Sequence, residues 1–370
     1  MTDTSTEAFR SHALEVALRI IKGAVAAGAS DIHLKAAVSP LVRIDGELCP
    51  LEHPALTEAL IDSVIEALGA WAGVSPARLA RHQIDFSCVV PEVGRFRAHG
   101  YHQNGTAALA LRRIPHPIPD FAALRLPPVV KRVALTDRGL ILISGATGQG
   151  KSTTAAAMLD FINQNLARHV ITLEDPVEFV FEDQRASFSQ REVGRDMETL
   201  AQGLEGVWRE DPDVLFIGEL RTLEEFDVAL NAAESGRVVL SSCHAADTAR
   251  TIGRMISLYP PDFRDSARAR IADSLRAIIG QRLVARRGAR DRILATEVLI
   301  MSPTVQDCVR DPARLRGVIP ALEAGTHEFG SHSFDQTLTT MVRDGLITIE
   351  TAKAAATNPS DLVRNLRVTR

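Results

Sequence analysis

Residues 145–154 read "GATGQGKSTT" and follow directly on the apolar run "GLILIS". Gly145, Gly150, Lys151 and Ser152 satisfy the pattern G-x-x-x-x-G-K-[ST] of a phosphate-binding loop. In such a loop the main chain of Gly145, Ala146, Thr147, Gly148, Gln149 and Gly150 turns its N–H groups inward as an anion nest. A helix beginning near Lys151, with Ser152 and Thr153 in its first turn, adds its positive end. Lys151 is expected to reach the β- and γ-phosphates of a nucleotide, and the Ser152 hydroxyl to ligate Mg2+; the loop alone fits a kinase, a GTPase or a motor. A chance lysine in a glycine-rich turn lacks the context this motif needs, a strand before and a helix after. Here "ILIS" and "STTAAAMLDFINQ" supply both.

Carboxylates at later strand ends extend the site. "ITLEDPVEF" places Glu174, Asp175 and Glu178 at the carboxyl edge of the sheet, where ligands of such sheets bind. In "DPDVLFIGELR", the position that usually carries an aspartate after four apolar residues is Gly218, followed by Glu219. Glu219 is therefore the candidate for holding Mg2+ through its water shell, with a purely structural carboxylate as the alternative. The strand ending "SSCHAA" offers His244 either as a phosphate sensor or as a satisfied core histidine.

The elements that position these groups fall into two regions. The chain of 370 residues is long enough for two cores, and its 45% hydrophobic and 24% charged content is ordinary for a globular protein. A helix is expected near 7–27, then "SDIHLKAAVSPLVRIDGELCPL" as two strands joined by a turn. "TEALIDSVIEALG" has helical spacing, and "QIDFSCVVPEVGRFRAHGYHQNGTAALALRRI" alternates as antiparallel strands, with turns at Pro91–Gly94 and Asn104–Gly105. "PHPIPDFAALRLPP", with five prolines in fourteen residues, reads as a linker. The expected division is 1–112, a linker at 113–126, and 127–370. From 127 onward "GLILIS", "RHVITLE", "DVLFIGE" and "GRVVLSS" alternate with helical segments, the pattern of a largely parallel α/β sheet. Beyond 260 the chain reads as mainly helical, including "DSARARIADSLRAIIGQRL", "PTVQDCVRD" and "SFDQTLTTMVRDGLITIETAKAAAT".

Composition excludes several classes. The N-terminus begins polar and acidic, unlike a signal peptide, and no apolar run approaches the ~20 residues of a membrane span. Cys49, Cys88, Cys243 and Cys308 lie far apart without a C-x-x-C, which argues for a reduced, cytoplasmic setting and against a zinc ribbon. A net charge of −4 and 5% aromatic residues count against a nucleic-acid partner.

"GATGQGKSTTAAAMLDFIN", "ITLEDPVEFVF", "SQREVGRD", "WREDPDVLFIGELR", "AAESGRVVLSSCHAADTARTIGRMI" and "LRAIIGQRL" resemble, in order, the boxes of the type II/IV secretion ATPase superfamily. "ASDIHL", "VRIDGEL" and "RFRAHGYHQN" resemble its first domain, so the likeness runs from about residue 29 to the C-terminus. The resemblance implies a PAS-like first domain and a RecA-like ATPase domain with C-terminal helices, working as a homohexamer. Without the extra N-terminal domain or the tetracysteine site of assembly ATPases, the chain looks like the shorter, PilT-like retraction branch of twitching motility. That likeness implies a cytoplasmic motor, peripheral at the inner membrane through a pilus platform protein, with a paralogous retraction ATPase as a further partner. It also assigns roles: Glu178 assisting hydrolysis, Glu219 with Mg2+, His244 in the His box, and Arg95, Arg97 and Arg112 approaching the ATP phosphates. The competing readings are an assembly or secretion ATPase, an ATP-binding adaptor without activity, and a nucleic-acid motor.

Departures from the family pattern are also visible. Arg237 replaces the first histidine of the His box, and Thr222 stands where an aspartate is common. Glu205, Asp227 and Gly105 occupy positions that are often arginine, and Gln306–Asp307 replace an Arg-Asn pair in the retraction signature.

Overall fold

In the computed structural model, which describes residues 4–79, 81–289 and 291–368, contacts divide the chain into two units. One comprises Met1–Pro117, Glu174–Val180 and Arg191–Leu200; the other comprises Ile118–Leu173, Phe181–Gln190 and Ala201–Arg370.

The first unit is built from α1 (Thr4–Ala26), β1 (Asp31–Lys35), β2 (Leu41–Ile44), β3 (Glu47–Pro50), α2 (Glu58–Trp71) and α3 (Pro76–Leu79), followed by β4 (Gln83–Val90), β5 (Gly94–Gln103) and β6 (Thr106–Ile114). Its strands form one antiparallel sheet in the order β3-β2-β1-β6-β5-β4. The stretch 30–51, expected as two strands, holds three. Asp45 and Gly46, with φ of 51° and 89°, form a tight turn that splits the second into β2 and β3. The two-residue period of β5 buries Phe96, Ala98 and Gly100 and leaves Arg95, Arg97 and His99 on the other face. Phe86, Phe96, Leu109 and Leu111 share a core with Ile20 and Ile21 of α1 and Ile61 and Leu68 of α2.

The remaining elements, whose residues belong to the second unit apart from Glu174, Arg191, Glu192 and Leu200, are α4 (Pro128–Ala134), β7 (Gly139–Ser144), α5 (Lys151–Asn165), β8 (His169–Glu174), β9 (Ser187–Glu192), α6 (Leu200–Gly206), β10 (Val214–Ile217), α7 (Leu223–Glu234), β11 (Val238–Cys243), α8 (Thr248–Leu258), α9 (Arg264–Ser274), β12 (Leu275–Ala285) and β13 (Arg292–Ile300). Six helices follow: α10 (Pro303–Arg310), α11 (Val318–Ala324), α12 (Thr326–Phe329), α13 (Phe334–Arg343), α14 (Ile349–Ala355) and α15 (Pro359–Val368). The sheet order is β13-β12-β7-β11-β10-β8-β9. β12, β7, β11, β10 and β8 run parallel, and β13 returns antiparallel to β12. All four strands expected from sequence lie in this sheet.

One expectation is corrected. The helix projected through 265–283 ends at Ser274, and Leu275–Ala285 is a strand. Leu275, Ala277, Ile278 and Ile279 are all fully buried, so every side of this run needs apolar cover. Burial on successive residues Ala277–Ile279 fits a strand flanked by two others, and β7 and β13 provide those neighbours.

Every residue of β7 is buried, which fixes the strand end from which the phosphate loop departs. Replacing the fully buried Leu142 by alanine is expected to lower unfolding free energy by about 2–5 kcal/mol. Urea denaturation of the full chain measures this; a loss below about 1 kcal/mol would mean the strand is not packed as described.

Candidate nucleotide-binding site

A parallel sheet with helical crossovers gathers loops at the carboxyl ends of its strands. β7, β11 and β10 are neighbours, and their ends lead into Gly145–Gly150, His244 and Gly218–Glu219 respectively. Gly145, Gly148 and Gly150 have φ of 155°, 76° and 84°, conformations that side-chain-bearing residues avoid. At Gly145 a Cβ would also meet the Gln281 carbonyl oxygen at 2.8 Å. Gly150 ends the loop as the left-handed residue before α5, so the first turn of α5 presents Lys151, Ser152 and Thr153.

Lys151 is only 8% exposed, yet its ammonium is satisfied. Nζ donates to the Gly145 carbonyl at 2.9 Å and the Ala146 carbonyl at 3.1 Å, and lies 3.4 Å from His244 Nδ1. An ammonium has no acceptor lone pair, so His244 Nδ1 accepts and its proton sits on Nε2. Nε2 in turn is 2.8 Å from Glu219 Oε1. Glu219 Oε2 accepts from Arg221 Nη2 and Nε at 2.9 and 3.0 Å. The result is a continuous chain Lys151–His244–Glu219–Arg221. Two side chains steady its frame: Ser242 Oγ donates to the Gly218 carbonyl at 2.7 Å, and the Arg254 guanidinium to the His244 carbonyl at 2.9 Å. His244 is thus a bridging residue rather than a core histidine. Arg221 and Arg254 were missed by sequence reasoning; Arg221 stood in the "GELR" box without a role.

The residue set fits Mg-ATP. A nest of positive-φ glycines, a desolvated cation at its floor, an exposed Ser152 at the helix start and the Glu219 carboxylate supply phosphate and metal partners of the right charge.

The other predicted residues lie in the first unit and form a group of their own. Arg97 Nη1 donates to Glu178 Oε1 at 3.2 Å, and Arg95 donates to the Val177 carbonyl at 2.8 Å and to Ser87 Oγ. The buried Glu192 carboxylate accepts from Ser87 Oγ and Val177 N–H, both at 3.0 Å. Burial lowers the Arg95 pKa, opposed by the charges of Glu192 and Glu174. Arg112 Nε donates to Asp31 Oδ1 at 2.8 Å, and Glu174 is buried at the end of β8.

Comparisons with known proteins decide the family. The profile of the type II/IV secretion system proteins matches residues 121–326. The type IV pilus retraction ATPase PilT of Pseudomonas aeruginosa is 36% identical over 90% of this chain and 96% of its own. The chain belongs to the type II/IV secretion ATPase family. The type IV pilus ATPase PilU of the same organism is 33% identical over 93% of this chain and 89% of its own. The crystal structure of the pilus retraction motor PilT with bound ADP superimposes with a TM-score of 0.83. It has 39% identity and covers 94% of this chain and 98% of that one.

Seen against the family, the departures have local partners. Thr222 and Glu225 form a capping box that starts α7, immediately after Glu219 and Arg221. Asp227 pairs with Arg270 Nη1 at 2.6 Å and accepts from the Tyr259 hydroxyl at 3.0 Å. Its acid therefore helps tie α7 to α9. Arg237 lies 5.3 Å from the Trp208 ring centroid, at the end of β11 opposite His244. Gly105 has φ of 80° beside Asn104 at 48°, the turn between β5 and β6. On α10, Gln306 donates to the Ala272 carbonyl at 3.0 Å while Asp307 stays 59% exposed. Nothing in the structure explains Glu205.

Cys243 precedes His244, is fully buried, and burial pushes its thiol pKa up to about 11. At pH 8 only about one molecule in 10^3 carries the reactive thiolate. Iodoacetamide at pH 8 is therefore expected to label the half-buried Cys49 well before Cys243, read by peptide mass mapping. Equal labelling of both would show that the His244 strand end is open to solvent.

Proposed function

We propose that this chain is a cytoplasmic ATPase motor that hydrolyses ATP to power type IV pilus retraction, working as a homohexamer on an inner-membrane platform protein. The observation that carries the ATP site is the Lys151–His244–Glu219 chain at three adjacent strand ends. Retraction is supported by likeness to the retraction ATPase PilT over nearly the whole of both chains. Among the described residues no helix is long and apolar enough to cross a membrane, consistent with a motor held at the membrane by partners.

Lys151 exchanges the carbonyls of Gly145 and Ala146 for phosphate oxygens, neutralising charge that grows during γ-phosphoryl transfer. That exchange removes the donor on His244 Nδ1, so His244 reports phosphate occupancy to Glu219. Ser152 and Glu219 would hold Mg2+, which would supply charge neutralisation for phosphoryl transfer. Glu178 orients or deprotonates the attacking water, with Glu174 as the alternative carboxylate. Arg95, Arg97 and Arg112 are the cations a ring neighbour would supply to the phosphates; Arg97 and Arg112 exchange their present partners Glu178 and Asp31 to do so. A paralogue-type accessory role is the second reading, favoured by the Gln306–Asp307 pair on α10, which replaces an Arg-Asn pair and leaves the acid of Asp307 exposed.

Lys151→Ala is expected to cut phosphate release by at least about 100-fold with thermal melting little changed, and Glu219→Gln to bind Mg-ATP but turn over far more slowly. Near-normal turnover in Lys151→Ala would remove this loop as the catalytic site. In cells, a clean deletion is expected to give more surface pili without twitching movement. Bald cells would indicate an assembly motor, and unchanged piliation with normal movement an accessory one.

A further inference from the structure

Three consecutive residues of β12 reach to opposite sides of the strand. Gln281 Nε2 donates to Thr154 Oγ1 on α5, and the Leu283 N–H donates to Gln149 Oε1 in the phosphate loop. Between them Arg282 serves a different set of partners. Its guanidinium donates to the Ala246 carbonyl at 3.1 Å, two residues beyond His244, and to the Ala355 carbonyl at the end of α14. It also lies 3.8 Å over the Phe334 ring centroid at the start of α13.

Glu297 on β13 makes a second link between the same regions. Oε1 accepts from Thr248 N–H and Oγ1, both at 2.8 Å, at the start of α8; Oε2 accepts from Phe334 N–H at 3.2 Å. Glu297 is only 2% exposed. Phe334, Leu338, Ala352 and Leu362 of the C-terminal helices share a core with Val284 and Ile293 of the β12–β13 hairpin.

A buried carboxylate is tolerated only while its acceptor sites are filled, and losing one partner leaves a costly orphan. Glu297 therefore holds the starts of α8 and α13 together, and Arg282 holds the His244 loop to α13 and α14. A shift of residues 244–248 must carry these helices with it or break buried hydrogen bonds. We propose that Arg282 and Glu297 are positioning residues that couple the His244 loop to helices α13 and α14, transmitting nucleotide occupancy through the β12–β13 hairpin. The coupling rests on residues 145–153 being the ATP site. It requires no contact between either residue and the nucleotide.

The test is hydrogen–deuterium exchange of the full chain with and without a non-hydrolysable ATP analogue and Mg2+, alongside a direct affinity measurement. Wild type is expected to bind the analogue and to change protection across 334–355. Arg282→Met keeps the stem and loses the donors. It is expected to bind within about threefold of wild type, to lose the protection change, and to show kcat reduced about tenfold at constant KM. A residue that only stabilised the fold would raise exchange equally in both states. Glu297→Gln, which retains one acceptor and breaks one of the two links, gives a second route should Arg282→Met fail to fold. Failure of wild type to bind the analogue would sink the site assignment itself. Binding without a change across 334–355, or a change retained in both variants, would overturn the coupling alone.

Discussion

The buried ammonium of Lys151 sets the terms for the rest of the catalytic unit. A cation with 8% exposure must be surrounded by acceptors, and the loop provides two main-chain carbonyls and a histidine nitrogen. Supplying the carbonyls requires a backbone that turns through positive φ at Gly145, Gly148 and Gly150. Supplying the histidine requires that β11 lie beside β7, so that His244 emerges next to the loop. The neutral tautomer that accepts from Lys151 must donate from its other nitrogen, and Glu219 at the end of β10 receives that bond. One desolvated charge thus links the ends of three neighbouring strands through the residue at each.

The same arrangement ties the loop to the remainder of the unit. Gly145 has no room for a Cβ because the Gln281 carbonyl occupies the space, so β7 and β12 approach closely where the loop begins. Gln281 and Leu283 anchor the loop and α5, whereas Arg282 and Glu297 serve the His244 loop and the C-terminal helices. Most departures from the family pattern lie away from this chain. Asp227 and Arg237 each sit in a local interaction apart from it, whereas Thr222 caps α7 beside Arg221, sharing the Glu225 carboxylate with the Arg221 N–H.

Much of the site was legible because its signals are local. Gly145, Gly150, Lys151 and Ser152 fall within eight residues, and Glu219 and His244 each terminate an apolar run that reads as a strand. The pairing among them was not legible. Whether His244 was a sensor or a core residue depended on which strands are neighbours, and strand order is a long-range property. Arg221 escaped notice because an exposed arginine after a strand has no distinguishing local pattern.

The sequence by itself determined the phosphate loop, the alternating elements of the second unit and the face of β5 that carries Arg95 and Arg97, since each depends on periods of two to four residues or on glycine's freedom. Tertiary structure decided the state of Leu275–Ala285, where the short apolar run Ala277–Ile279 between Arg276 and Gln281 suits either a buried helix or a central strand. The ladders to β7 and β13 chose the strand. It also decided that Glu174–Val180 and Arg191–Leu200 cluster with the first unit, where Arg97 meets Glu178, 81 positions further along the sequence. Local spacing carries no record of such a pairing. Only closing the chain upon itself brings those charges within hydrogen-bonding reach.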